Sequence, residues 1–185
     1  VNIFILSEDP IQAAESQCDK HVVKMILESA QMLSTAHWLG WSIMFHLPTN
    51  MKQKEKKRFL RENVSPDLQP SYSMTHVNHP CTIWARETKR NYLWLCMHAK
   101  ALCNEYTKRY GKRHKSEDVI DWLCIHIPPH LINCKNDLTP FAQAMPNQYK
   151  DDSPVVAYRK YYIEEKAAIA KWKYTQAPAW FVTKS

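Results

Sequence analysis

Residues 18–35 read CDKHVVKMILESAQMLST. Val22, Val23, Met25, Ile26, Leu27, Ala30, Met32 and Leu33 place apolar side chains almost all the way round a helix, the pattern of a segment buried in the middle of a domain. The polar residues are gathered rather than scattered. At about 100° per residue, His21, Lys24, Glu28, Gln31 and Thr35 fall within an arc of roughly 80°, with Lys20 at its edge. Charges on a buried helix must be paired or must face a wet cleft, because an isolated buried charge is too costly. The stripe reads as one wall of a site. The competing reading is a structural Lys24–Glu28 pair one turn apart, with His21 and Gln31 hydrogen-bonded in the core.

Outward from this helix, the pattern predicts a mainly α chain: one compact helical domain over residues 1–185, with a short N-terminal strand or arm and long loops. Asn2–Leu6 is the arm. Ser7-Glu8-Asp9-Pro10 opens a short helix to about Gln17, with a capping side chain and Pro at the first helical position. The main helices are expected over 19–38, fading near Gly40, then 81–110 and 154–173. A shorter one starts at Ser116-Glu117-Asp118, and Gly111 ends the second main helix as a left-handed cap. Residues 48–75 stand apart, with MKQKEKKRFLREN followed by prolines and serines. They read as a basic, mobile surface insertion with too little apolar content for the core, or as a flap that closes over nucleic acid. Residues 127–153 form a proline-punctuated connection long enough to be functional or an ordered cover. The tail, TQAPAWFVTKS, is expected on the surface.

Only two glycines occur among 185 residues, which argues against the glycine-rich turns of Rossmann and P-loop sites and against a fold full of tight β turns. The formal charge of +7 suits a polyanionic partner. Six cysteines lack CxxC spacing and read as reduced, buried thiols of a cytosolic protein. NIFIL is too short for a signal-peptide core, and nothing later reaches transmembrane length, so no membrane partner is expected.

His76 and His79 form an HxxH, but no HExxH and no second ligand pair accompany it, so no metal and no cofactor are expected. His79-Pro80 reads better as a side chain aimed at the site from a rigid loop. G-x-S-x-G is absent, and Cys18 with His21 is discounted as a catalytic couple because adjacent helical turns give poor triad geometry. Amine chemistry remains. An amine of lowered pKa can attack a sugar C1′ or form a Schiff base, while a carboxylate stabilises the cation or moves protons. Val1, Lys24 and Glu28 supply these parts if the arm packs beside the central helix. The candidate substrate-binding residues are Lys20, His21, Gln31, His76 and His79; Arg86, Glu87, Asn91 and Arg109 along the second main helix; and Arg159 and Lys166 on the last.

At DKHVVKMILESAQMLSTAH, HVNHPCTIWARE, NYLWL, NEYTKRYGKRH, PFAQAMPNQYK and YRKYYIEEKAAIAKW the chain resembles a family of small tailed-phage proteins. The resemblance covers nearly all of it except about 48–70. It implies the cytoplasm of a host cell and no particular activity. A weaker resemblance lies in the order of parts: arm, helix with basic residues and a carboxylate, histidine, long helices. This order is similar to the pyrimidine-dimer DNA glycosylases of the endonuclease V type, small basic all-α phage enzymes. That resemblance implies an N-terminal α-amine as nucleophile and an essential glutamate on the first long helix. By position these are Val1 and Glu28, with Lys20, His21 and Lys24 facing DNA or the site. The chain departs from that pattern in a longer spacing from arm to carboxylate, in Lys where Arg is usual, and in its greater length. The first functional expectation is therefore a DNA glycosylase or glycosylase/lyase, whose flipped base needs a pocket and stacking partners. The second is a protein that sequesters a nucleotide or nucleotide-derived signal in a basic aromatic pocket without catalysis.

Overall fold

A computed structural model describes residues 1–182 of the chain. Seven helices occur among them: α1 (Pro10–Glu15), α2 (Asp19–Met44), α3 (Gln53–Asn63), α4 (Pro80–Ala85), α5 (Lys89–Tyr110), α6 (Glu117–Ile125) and α7 (Pro154–Glu165). No strand is present among the described residues, and none of their helices is long and apolar enough to cross a membrane. Helix α2 is the axis of the molecule. It packs on α5, α4 and α6, while α5 also carries α1. Val22, Ile26, Ala30, Met32 and Leu33 are fully buried between them, as are Tyr92, Leu95, Ala99 and Leu102 of α5.

Local chemistry sets the helix starts. Asp9 accepts from the Ile11 and Gln12 N–H groups ahead of Pro10, Thr88 from Asn91, and Ser153 from Val156 ahead of Pro154. Helix α5 ends on Gly111 at φ 65°. The other glycine has a packing role. A Cβ on Gly40 would come within 2.6 Å of His130 Nδ1 and 3.0 Å of the Pro129 ring. Glycine there lets the 129–131 turn press against α2, and α2 continues through it to Met44 rather than fading.

The arm is not a strand. Residues 2–6 are buried, yet the Asn2 side chain takes the Ile3 and Phe4 N–H groups, and Phe4 sits at φ 57°. A chain that bonds its own side chain offers no ladder to a neighbour. Gln17 Nε2 donates to Ile3 O, and Arg159 Nε to Leu6 O, so side chains of the helical body satisfy the arm's carbonyls.

Two further helix boundaries depart from the sequence expectation, and so does the basic stretch. The segment expected as one helix over 81–110 is broken at Arg86-Glu87-Thr88, where Thr88 caps a fresh start. The last helix stops at Glu165 instead of near 173. Beyond it the Asp19 N–H donates to Lys171 O and the Lys173 N–H to Asp19 Oδ2, so the chain bonds to the start of α2 in place of its own previous turn. The basic stretch 48–75 is not detached from the core. Leu60 and Val64, with Phe59, meet Trp38 of α2 and Met74 in a second, smaller apolar cluster. Arg61 lies over the Trp38 ring, 5.1 Å from its centroid. Few apolar residues suffice here, because they share one face of α3.

Candidate functional site

Among the stripe residues of α2, three are buried and each holds a different segment. Glu28 takes the arm: Asn2 N–H donates to its Oε2 at 2.9 Å, and the Val1 nitrogen stands 3.7 Å from the same oxygen. Two turns on, Thr35 and Thr75 exchange hydrogen bonds of 2.8 and 3.0 Å, which dock the segment leading to His76 and His79. Two turns before Glu28, His21 packs on Phe4 at 4.4 Å between ring centroids. The Tyr162 hydroxyl accepts from Cys18 N–H and shares a hydrogen bond of 2.7 Å with His21 Nδ1. Burial first, then Lys166, Lys24 and Lys20, lower the His21 pKa to about 4. It is a neutral packing residue of the arm rather than a group facing substrate.

The remaining stripe residues meet water. Lys20 is exposed and Gln31 half-buried. Lys24 Nζ lies 3.4 Å from Glu28 Oε1, with the lysine side chain 62% exposed and the carboxylate 10%. The reading of a buried Lys24–Glu28 pair therefore does not hold, since only the glutamate is inside. One carboxylate is shared by the Val1 nitrogen from within and by the lysine from the solvent side.

His79 sits at the start of α4. It caps α4, with Nδ1 accepting the Cys81 N–H at 3.2 Å, so in the neutral ring the proton is on Nε2. Its pKa is lowered by burial, then by the positive charge at Val1 and by His76, against a smaller opposite pull from Glu28. His76 itself is exposed, at φ 49°.

The other residues singled out in the sequence are held elsewhere. Arg109 is saturated: Nε donates to Glu105, one terminal nitrogen to Gln17 O and Asp19, the other to Glu15 O. Asn91 is fully buried, with its amide on Trp84 O and Thr139 Oγ1 and its carbonyl taking the Thr139 N–H. Both are structural, and neither has a donor or acceptor left for substrate. Glu87 accepts from the Thr139 hydroxyl, and Arg86 donates to Val77 O at 2.8 Å. Arg159 reaches the arm at Leu6 O and lies over Trp180; Lys166 lies over Tyr161. Thus Val1 and Lys24 converge on Glu28, while His76 and His79 follow the Thr75 segment that docks on Thr35, two turns further along α2.

Sequence reasoning passed over Asn2. Its Nδ2 donates to Ala144 O, while Tyr158 fixes that segment through Ala142 O and the Ala144 N–H. The signal was a lone amide at the head of an apolar run. Among the described residues no group of three or more His, Cys, Asp or Glu side chains is placed to hold a metal ion. Clefts of about 700 and 780 Å³ lie away from Glu28, one at Trp94, Lys100 and Cys124 and the other at Arg159, Ile163 and Trp180. At Glu28 the carboxylate is 10% exposed, and beside it on α2 Lys24, Val23 and Leu27 face solvent. No protein-family description, curated protein or solved structure matches the chain.

Proposed function

We propose that the protein is a DNA glycosylase or glycosylase/lyase that cleaves an N-glycosidic bond with an amine nucleophile held at Glu28. The observation that carries this reading is the Val1 nitrogen 3.7 Å from Glu28 Oε2, with Lys24 Nζ 3.4 Å from the other oxygen. When the polypeptide begins at Val1 that nitrogen is the nucleophile. When residues precede it, the nitrogen is an amide and Lys24 takes the role. The neutral amine attacks C1′ of the target nucleotide. The bond to the base breaks, and the base leaves with the electron pair and takes up a proton. Loss of the amine proton and opening of the sugar ring give an iminium, which the Glu28 carboxylate stabilises. Removal of a C2′ proton then expels the 3′ phosphate, and water releases the enzyme. His79, with a neutral ring and its Nε2–H unspent, is suited to handle one of these protons.

Lys24, exposed beside Glu28, is placed to meet a polyanionic polymer at the surface. The formal charge of +7 acts in the same direction. The experiment is borohydride reduction of the protein on duplexes bearing an abasic site, a deaminated base or a pyrimidine dimer. A covalent protein–DNA adduct supports the proposal. A full panel without adduct or strand cleavage, alongside nucleotide-dependent thermal stabilisation, supports the sequestering alternative.

A further inference from the structure

The end of α2 remote from Glu28 carries a second convergence of positive charge. A concavity of about 290 Å³ is bordered by Ser42, His46, Thr49, Lys56, Arg86 and His130, with aliphatic side chains of α2 beneath. It draws on α2, the turn after it, α3, the residue capping α4, and the 129–131 turn. No acidic side chain lines it. Among the described residues no carboxylate lies within ion-pair distance of Arg86, Lys56 or His46.

Arg86 is the informative member. It is half-buried, and burial lowers its pKa. A cation taken partly out of water is costly unless something compensates it. Of its five N–H donors, one bond is made within the protein, from a terminal nitrogen to Val77 O. Its main chain is clamped: His130 Nε2 donates to Arg86 O at 3.0 Å, and His130 is seated against Gly40, where a Cβ would collide with it. Arg109, by contrast, spends every nitrogen on carboxylates and carbonyls.

These cations are not needed as caps for α2. Three of the last four carbonyls of that helix, on Trp41, Ser42 and Ile43, already accept from the N–H groups of Phe45, Leu47 and His46.

We infer that this concavity is a binding site for a phosphate group, held by the Arg86 fork and Lys56, with His46 and the Thr49 hydroxyl at its mouth. A guanidinium with free parallel donors matches phosphate geometry, and a lysine adds a point charge. The volume suits a phosphoryl group with part of a sugar and is small for a whole nucleotide. Two sources offer that chemistry: a backbone phosphodiester, or a free phosphorylated molecule. Gly40 lies twelve residues beyond Glu28, about 18 Å at the helical rise, so one strand could lie across both. The inference does not depend on the reaction proposed at Glu28.

The test titrates the full chain with inorganic phosphate and, separately, with a short oligothymidylate, followed by calorimetry at low salt. Wild type is expected to bind phosphate. Lys56→Gln, which alters a side chain with no hydrogen bond or ion pair to lose, and Arg86→Gln should each weaken it about tenfold. Weakening of phosphate and oligonucleotide together supports the site with a backbone phosphodiester as its source. Weakening of phosphate alone supports it with a free phosphorylated molecule. Wild type that ignores phosphate, or a folded Lys56→Gln that titrates like wild type, overturns the inference even if Arg86→Gln fails to fold.

Discussion

Two ionic clusters flank the same central helix, and they are built in opposite ways. At the start of α2, Arg109 of α5 is fully buried and bonds Glu105, Asp19 and two main-chain carbonyls. Ten residues into α2, Glu28 is also mostly buried, but one of its cations is a largely exposed lysine and the other is the nitrogen of the first residue. The first cluster closes on itself and ties α1, α2 and α5 together. The second stays half-open to water. A buried charge with every valence met inside the protein is a fastener. A carboxylate that shares itself with mobile or wet partners is free to change partners, which chemistry requires.

The largest expected effect breaks the closed cluster. Arg109→Met leaves Glu105 and Asp19 short of their buried counter-charge and should cost about 3–5 kcal/mol in denaturant unfolding. A loss below about 1 kcal/mol would show that Arg109 is not a fastener.

Acid comes next, and it acts on histidines that the fold keeps neutral. Burial lowers His21 and His98 to about 4 and His37 to about 3, from ordinary values near 6.5. Below pH 6.5 the unfolded chain binds these protons and the folded chain does not. Stability is therefore full above that pH and falls as pH drops toward 4. Three such groups give a slope of up to about 4 kcal/mol per pH unit. Urea midpoints measured at pH 7, 6 and 5 should decline accordingly. A flat profile would mean that the three rings take up protons in the fold.

Much of this was readable in the sequence. The buried character of α2 follows from its apolar circumference, and the arc holding Glu28 from its periodicity. What the sequence hid lies in tertiary bonds. The break between α4 and α5 has no Gly or Pro to mark it, only Thr88 turning its hydroxyl to Asn91. After the early end of α7, residues 171–173 bond to Asp19, more than a hundred residues away. His21, Asn91 and Arg109 sit at positions whose periodicity suits a site, and only their partners show that they are spent. Residues 51–61 looked dispensable because their composition is basic, although Leu60 is fully buried.

That last point yields a smaller effect. Leu60→Ala should cost about 2 kcal/mol, near the low end for a buried leucine because the cluster it joins is small. Deletion of 51–61 should lower the melting temperature further and redshift the emission of Trp38. An unchanged melting curve in both variants would return this stretch to the status of a detached insertion.

The smallest stability effect belongs to Glu28. Glu28→Gln keeps an oxygen for the Asn2 N–H and loses one charge beside an exposed lysine, so it should melt within about 1–2 kcal/mol of wild type. Loss of stability on the scale of Arg109→Met would make Glu28 another fastener.

The central claim is that Glu28 holds a reactive amine, and peptide mapping of the borohydride adduct tests it most directly. Wild-type protein on abasic-site DNA should give an adduct on the first residue's nitrogen or, when that nitrogen is an amide, on Lys24. Glu28→Gln, folded, should give little or none. An adduct mapped to a lysine remote from Glu28, or one formed equally well by Glu28→Gln, would contradict the account.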